Sequence, residues 1–184
     1  MKLPRLIVLI DAYLALTFLA TAPTSAETKQ QIDWCINESR VYSPDLQISG
    51  CTASIQSGRY GDQDLAVVYS NRGEAYNNKS QHDRAIQDFD QAIKLNPNYF
   101  EALNNRGQAY MNKGQHDRGI QDFDQAIRLD PKIALTFFNR GLAWERKGNL
   151  QNALQDFKRY SELAPSDPLG PEAFARVTKA LSGR

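Results

Sequence analysis

Asn71 begins the stretch NRGEAYNNKSQHDRAIQDFDQAIKLNP, and Asn105 begins its near copy NRGQAYMNKGQHDRGIQDFDQAIRLDP. A more divergent third copy, NRGLAWERKGNLQNALQDFKRYSELAP, begins at Asn139, so the interval between copies is constant. A constant period of this length indicates a stack of identical supersecondary units, because one unit alone cannot bury its apolar face. Such a stack presents one long surface, and any residue repeated on that surface forms a row.

Each copy has the pattern of two helices joined by a turn. Tyr69, Gly73 and Tyr76 lie at i, i+4 and i+7, on one face of a helix. After a turn at Ser80, apolar residues return at spacings of three and four: Ala85, Ile86, Phe89, Ala92 and Ile93. Pro97 ends this second helix, because proline cannot continue one. The pattern predicts an all-α protein.

The spacing within the copies resembles that of the tetratricopeptide repeat family. With positions counted from the first residue of a unit, the family has a bulky residue at 4, small residues at 8, 20 and 27, aromatic residues at 11 and 24, and proline at 32. The first unit, residues 66–99, supplies these as Tyr69, Gly73, Tyr76, Ala85, Phe89, Ala92 and Pro97. The second unit, residues 100–133, supplies Leu103, Gly107, Tyr110, Gly119, Phe123, Ala126 and Pro131. The third unit, residues 134–167, supplies Phe137, Gly141, Trp144, Ala153, Phe157, Tyr160 and Pro165.

Two of these residues depart from the family pattern. Gly119 lies inside a helix, where glycine costs roughly 1 kcal/mol relative to alanine. Tyr160 is bulky where a small residue is usual, so the third unit must pack differently there. The resemblance implies a right-handed superhelical solenoid of helix-turn-helix units.

The flanking segments follow the same register. Cys35 and Cys51 precede Gly73 and Phe89 by one and the same interval, so residues 27–65 are expected to form a degenerate hairpin with an insertion before Ala66. In that register the cysteines face each other on opposite helices, which predicts a disulfide whose loop of about 15 residues is worth roughly 3 kcal/mol; the alternative is two buried thiols. Residues 168–184 are expected to form a capping helix with a polar outer face.

Residues 1–26 have the pattern of an export signal. Lys2 and Arg5 precede a mostly apolar stretch from Leu6 to Ala20, interrupted by Asp11, and small residues allow cleavage after Ala26. The apolar stretch is short for a membrane span of about 20 residues. We expect a periplasmic or secreted protein that is not inserted in the membrane after cleavage, the alternative being an uncleaved anchor. An even number of cysteines agrees with export.

Composition excludes several classes of function. The formal net charge is +1, and the charges of the leader account for it. A neutral body lacks the basic surface of a nucleic-acid or membrane-surface binder. No nucleophile elbow, phosphate loop or paired zinc spacing occurs in the sequence, so we expect neither an enzyme nor a cofactor or metal site. The partner expected is a protein or peptide; the oligomeric state stays open.

The resemblance implies that the first helix of each unit lines a concave groove. Position 6 is Asn71, Asn105 and Asn139, and an amide both donates and accepts hydrogen bonds, so such a row can bind a peptide backbone of any sequence. Neighbouring helices lie about 8–10 Å apart, which matches about three residues of extended chain. The row is similar to the asparagine ladder in the repeat domain of O-GlcNAc transferase. Alternatively, it reflects only the shared ancestry of the units.

Further groove residues give the surface an amide-rich end and an apolar end. They are Ser70, Glu74, Asn78, Asn104, Gln108, Met111, Asn112, Phe138 and Leu142. Phe138 either anchors a ligand side chain or docks the C-terminal helix. Chaperone adaptors of the family bind a C-terminal carboxylate with Lys at position 5 and Asn at position 9, and neither occurs here. We therefore expect internal segments as ligands.

Other repeated residues have simpler interpretations. Arg at position 7 and Asp at position 23 are expected to pair between helices, and the His-Asp pairs at His82 and His116 are turn residues rather than a metal site. The sequence as a whole predicts an interaction module that acts as an envelope adaptor or scaffold. The alternatives are a structural spacer that works through its convex face or ends, and a regulatory subunit of an enzyme.

Overall fold

A computed structural model describes residues 25–37 and 41–183 of the chain; the predicted leader, except for its last two residues, lies outside this part. Within the described residues the chain forms nine α-helices and no strand. The helices are α1 (Ser25–Ile36), α2 (Pro44–Gln56), α3 (Asp62–Asn78), α4 (His82–Leu95), α5 (Phe100–Asn112), α6 (His116–Leu129), α7 (Ala134–Arg146), α8 (Leu150–Leu163) and α9 (Leu169–Ser182). The all-α repeated fold expected from the sequence is confirmed.

Each regular unit is a hairpin whose helices cross at a glycine. A Cβ atom on Gly73, Gly107 or Gly141 would lie 2.7–2.8 Å from the ring of the phenylalanine at position 24 of the same unit. Only glycine therefore allows this ring to lie against the first helix. The rings, those of Phe89, Phe123 and Phe157, are completely buried. Helix α3 begins at Asp62, ahead of the expected unit boundary at Ala66, because Asp62 and Asp64 in its first turn favour a helix N-terminus.

The repeated arginines and aspartates hold each unit to itself and to its neighbour. Arg106 binds Asp122 of its own unit through two hydrogen bonds of 2.7 and 2.9 Å, and its Nη1 donates to Asp90 of the preceding unit at 2.6 Å. Arg140 makes the equivalent contacts to Asp156 and Asp124. Two-pronged charged contacts fix geometry as well as charge. The expected pairing between helices is confirmed.

The electrostatics of these pairs reflect their partial burial. Burial raises the pKa of Asp122 and of Asp156, and the hydrogen bonds from Arg106 and Arg140 act in the opposite direction. Burial by itself would lower the pKa of Arg106, but the hydrogen bonds and charges of its aspartate partners outweigh it and raise the pKa. The guanidinium therefore stays charged. Removing one partner of such a pair is costly, since the other is left buried and unpaired.

The N-terminal hairpin, α1 with α2, follows the register inferred from the sequence. Thr52 accepts a hydrogen bond from Arg72 at 3.1 Å, in the position that Asp90 and Asp124 occupy in later units. Asp45 pairs with Lys79 as Asp83 pairs with Lys113 and Asp117 with Lys147. Thr52 and Asp45 precede their counterparts Asp90 and Asp83 by the same interval that separates the cysteines from theirs. The hairpin is therefore a modified repeat that continues the stack.

Cys35 and Cys51 occupy the positions of the crossing glycine and phenylalanine in this hairpin. Their sulfur atoms are bonded to each other, and the residues are 2% and 0% exposed. The structure thus contains the disulfide expected from the register. Gly50 lies beside it, where a Cβ atom would collide with the carbonyl oxygen of Gln31. The disulfide and this close approach replace the aromatic packing of the regular units.

Helix α9 closes the C-terminal end. Ala173 and Val177 are buried in a cluster with Phe157, and Phe138 packs against this cluster. Tyr160 takes the place of a small residue: its ring lies 4.9 Å from that of Phe138, and its hydroxyl donates to Asp167 at 2.5 Å. Gly170 lets α9 approach this ring. Phe138 therefore packs against the cluster that holds the capping helix, and its role as an anchor for a ligand side chain stays a prediction.

Candidate functional site

The first helices of the hairpins lie on the inner side of the stack. Successive first helices touch one another, α1 with α3, α3 with α5 and α5 with α7. Each second helix instead packs against the first helix of the next hairpin, as α4 does on α5 and α6 on α7. First helices that approach one another form the shorter, concave side. Residues exposed on α3, α5 and α7 therefore share one groove.

The asparagines at position 6 form a row along this groove, and all three are half-buried. Asn139 donates through Nδ2 to Oδ1 of Asn104 at 3.2 Å, and Asn104 donates to Oδ1 of Asn105 at 3.5 Å. Asn71 makes no side-chain hydrogen bond with the described residues. Because each amide has two donor hydrogens and an oxygen with two lone pairs, all three keep hydrogen-bonding capacity.

The remaining predicted groove residues divide by exposure. Ser70 and Asn104 are 4% and 7% exposed, so they lie beneath the groove surface and do not line it. Asn104 is buried because it supports Asn139 from the neighbouring helix. Met111 is also buried, but its side chain lines a cleft. The others reach the surface to different degrees: Asn78 and Asn112 are exposed, and Glu74, Gln108 and Leu142 are half-buried.

Two clefts open in the groove itself. One, of about 240 Å³ between α5 and α7, is lined by Gln108, Met111, Asn112, Phe123, Asn139, Leu142 and Arg146. The other, of about 170 Å³, lies beside Asn71 and is lined mainly by apolar residues of α1 and α3, including Ile36 and Val67, together with Ser54, Tyr60 and Asp64. The sequence pointed to Asn71 but not to the contribution of α1, which depends on how the hairpin packs against α3.

A third cleft, of about 450 Å³, extends from the groove to the N-terminal hairpin. Glu74 and Asn78 line it together with residues of α1, α2 and their connection, among them Tyr42 and Gln47. Nearby, burial is the largest cause that raises the pKa of Tyr99, the charge of Glu101 adds to it, and the neighbouring hydroxyl of Ser70 opposes it. Tyr99 therefore stays neutral across physiological pH. The described residues contain no cluster of three His, Cys, Asp or Glu side chains that would suit a metal ion.

The two histidines at position 17 differ in their partners. Nδ1 of His82 lies 2.7 Å from Oδ1 of Asn77, the residue at position 12 of the same unit. In the second unit position 12 is Met111, and the buried Nδ1 of His116 has no hydrogen-bond partner among the described residues. His82 and His116 are the first residues of α4 and α6, respectively.

The first two units differ mainly on their inner helices. The outer segments 81–95 and 115–129 differ only at Ala85/Gly119 and Lys94/Arg128. The inner helices differ throughout the first five positions and again at Glu74/Gln108 and Asn77/Met111. Yet they keep the asparagine, arginine and glycine at positions 6 to 8. Change between these two copies is therefore concentrated on the helices that form the groove.

Comparison with known families places this stack of hairpins in one class of all-α repeat proteins. Residues 73–114 match a family described as TPR repeat, and residues 106–168 match one described as tetratricopeptide repeat. The chain belongs to the tetratricopeptide repeat family. Comparison with curated protein sequences finds no match.

Solved structures of the same fold support this assignment. The Arabidopsis OM64 TPR domain is 26% identical with a TM-score of 0.63, over 65% of this chain and 98% of that one. The second TPR domain of human RPAP3, solved in complex with an HSP70 peptide, is 25% identical with a TM-score of 0.62, over 64% and 98%. MamA is 23% identical with a TM-score of 0.66, over 75% and 78%. In the part of the chain that the structure describes, no helix combines the length and apolar character needed to cross a membrane.

Proposed function

We propose that this protein binds an extended segment of another protein in its concave groove and acts as an adaptor or scaffold in the bacterial envelope. In this proposal Asn71, Asn105 and Asn139 hold the backbone of the segment. The side chains around them select its sequence. A solenoid suits this role, because it offers one long surface for an extended ligand.

The observation that carries the proposal is the unequal divergence of the first two units. Their outer helices are almost identical, whereas groove positions have changed between Glu74 and Gln108 and between Asn77 and Met111. Packing accounts for part of the change at the first five positions, since α3 packs against the disulfide hairpin, where Val68 joins the cysteine cluster, and α5 packs against a regular unit. The differences at Glu74/Gln108 and Asn77/Met111 lie farther along the inner helices, where Glu74, Gln108 and Met111 line clefts of the groove. Adaptation of the groove to different parts of one ligand explains both the changes and the retained asparagines.

The similar structures support a peptide as the ligand, but this chain lacks the residues that hold a peptide's C-terminal carboxylate in chaperone adaptors. The RPAP3 domain shows that a fold of this size is sufficient to bind a peptide. In chaperone adaptors Lys at position 5 and Asn at position 9 hold the terminal carboxylate. Here those positions are Ser70, Asn104 and Phe138, and then Glu74, Gln108 and Leu142. We therefore propose an internal segment as the ligand.

The proposed location follows from the N-terminus and the cysteines. Residues 1–26 have the pattern of an export signal, and the bonded pair Cys35–Cys51 suits an oxidising compartment. Fractionation of cells that carry the tagged full-length chain tests this. We expect a shortened chain in the envelope fraction, whereas a full-length chain in the cytoplasm would contradict the location.

The test of the binding function is a cross-linking capture from an envelope extract. The wild-type chain is compared with the Asn71→Ala, Asn105→Ala, Asn139→Ala variant, after circular dichroism has shown that both are folded. A matched control removes three amides from the outer helices by Gln87→Ala, Gln121→Ala and Gln155→Ala, since these glutamines are exposed at equivalent positions. We expect the wild type and the glutamine control to capture the same partners. We expect the variant without the three asparagines not to capture them.

Capture that does not depend on the asparagines would contradict the proposal. Partners that are captured equally by all three chains would place the function on another face. The protein would then be a spacer or self-associating subunit, and the asparagine row would reflect repeat ancestry alone.

A further inference from the structure

The cleft between α5 and α7 has a polar counterpart one unit earlier in the chain. Its lining residues Met111, Leu142 and Arg146 correspond, one repeat back, to Asn77, Gln108 and Asn112. The crevice between α3 and α5 therefore presents amides at the positions where this cleft presents two apolar side chains and a cation. Both crevices lie between the first helices of successive hairpins.

Methionine at position 12 of the second unit cannot make the hydrogen bond to histidine that asparagine makes at this position in the first unit. In the first unit Asn77 lies 2.7 Å from Nδ1 of His82, whereas in the second unit Nδ1 of His116 is buried without a partner among the described residues. A buried polar atom without a partner destabilises a protein. Met111 packs in a core cluster with Ile120, Phe123 and Ala143, so it contributes apolar burial in place of the hydrogen bond that Asn77 makes in the first unit.

Gly119 accommodates this methionine. A Cβ atom at position 119 would lie 3.1 Å from Cγ of Met111 and 2.9 Å from the carbonyl oxygen of Gly107. The first unit, with Asn77, has Ala85 at the equivalent position. The two changes belong together, because the smaller residue makes room for the larger one. Glycine inside a helix adds a second cost to the first.

Arg146 gives the cleft its charge. It is exposed at the rim, and among the described residues it forms no ion pair. The cations that flank it are neutralised within the fold, since Lys147 pairs with Asp117 and Arg140 with Asp124 and Asp156. The neighbouring carboxylate of Glu145 is bound by Arg176. The charge left beside the cleft is therefore positive.

We infer that this cleft receives one apolar side chain of the bound segment, next to an acidic residue of the same segment that pairs with Arg146. Met111 and Leu142 contact the apolar side chain, and Asn139 holds the backbone beside it. A volume of about 240 Å³ suits a single side chain, since sites for small-molecule ligands measure about 300–1,000 Å³. The inference rests on the proposed function and adds the chemistry of the ligand to it.

A library of random dodecapeptides displayed on phage tests the inference. The baits are the wild type, Arg146→Glu, Met111→Asn and a control, Arg128→Glu, which reverses an exposed cation on the outer helix α6. We expect the wild type and the control to enrich peptides in which Leu, Ile, Met or Phe adjoins Asp or Glu. We expect Arg146→Glu to weaken a selected peptide about fivefold and to shift enrichment towards Lys and Arg. We expect Met111→Asn to weaken the peptide about tenfold and to remove the apolar preference.

The outcomes separate this inference from the proposed function. Thermal melting of each bait establishes that it is folded, and Leu142→Met against Leu142→Gln supplies a second apolar test within the same cleft. Selected peptides that need the three asparagines but bind equally to Arg146→Glu and Met111→Asn would overturn the inference and leave the proposed function standing. Selection of no groove-dependent peptide would overturn both.

Discussion

Position 15 of each unit shows how a single residue sets the turn between two helices. Its φ angle is +57° at Ser80, +73° at Gly114 and +78° at Gly148. This left-handed conformation is unfavourable for residues with a Cβ atom, by roughly 1–2 kcal/mol. The first unit thus forms with serine a turn that the other two form with glycine. Nothing lies within 4 Å of a Cβ atom built at Gly114 or Gly148, so the preference there is purely conformational.

The substitution Ser80→Gly should therefore stabilise the protein, by about 0.5–1 kcal/mol. The gain is smaller than the full penalty because glycine also makes the unfolded chain more flexible. Urea unfolding with a common slope measures it. The paired control, Gly148→Ala, should lose about 1 kcal/mol. If Ser80→Gly instead lowered the free energy of unfolding, the serine side chain would stabilise the turn by more than its left-handed backbone conformation costs.

The contacts of individual residues differ in how far they could be predicted from the sequence. The crossing glycines, the arginine–aspartate pairs and the cysteine pair were predictable, because the repeat period fixes which positions face each other. The burial of Ser70 and Asn104 was not, since it depends on the side chains of the neighbouring helix. The same holds for the unpartnered His116, which became visible only beside the pair formed by His82 and Asn77.

At the scale of the element, the hairpin α1–α2 replaces an aromatic contact by a covalent one. Cys35 and Cys51 stand where Gly73 and Phe89 stand in the next unit. The apolar core beside them is small and contains mainly Val68 and Ile55. Among the described residues this hairpin packs against a neighbouring hairpin on one side only, and the disulfide holds its two helices together.

Replacing the pair by Cys35→Ala with Cys51→Ala should loosen this hairpin selectively. We expect a loss of roughly 3 kcal/mol in its local stability, according to the chain-entropy estimate for a loop of about 15 residues. Amide hydrogen exchange should show faster exchange in α1 and α2 and unchanged protection in α5 and α6. Equal protection of α1 and α2 in variant and wild type would show that the disulfide does not hold the hairpin closed.

The contact between Tyr160 of α8 and Asp167, in the connection to α9, gives a prediction about pH. The hydrogen bond to Asp167 is the largest cause that raises the pKa of Tyr160, from its usual 10.0 to about 12. A raised pKa in the folded state means that the contact stabilises the protein fully below pH 10 and that this stabilisation is lost between pH 10 and 12. Asp167 has a lowered pKa through the same hydrogen bond, so its contribution disappears in acid, as pH falls through the lowered value.

The variant Tyr160→Phe tests this contact. Between pH 10 and 12 the melting temperature of the wild type should fall more steeply than that of the variant, because the variant has no phenol to ionise at this position. At neutral pH the variant should melt lower. Parallel curves across this range would show that the hydroxyl of Tyr160 does not couple to folding.

At the scale of the whole molecule, the stack separates its supporting face from its variable face. The outer helices and the charged pairs are nearly unchanged between the first two units, while the groove changes from amides around Asn77 to a cleft in which Met111 and Leu142 lie among polar residues. The fold was predictable from the period alone. The character of the groove was predictable in outline, but the clefts were not, since each is formed by residues of at least two helices.

The measurement that tests the central claim most directly is the affinity of a captured or library-selected segment for three chains, by isothermal titration calorimetry. They are the wild type, the variant without Asn71, Asn105 and Asn139, and the control without Gln87, Gln121 and Gln155. At about 1 kcal/mol for each lost amide contact, the first variant should bind about 100-fold more weakly, and the control should bind as the wild type does. Equal affinity of all three chains would contradict the account, because the segment would then be held somewhere other than in the groove.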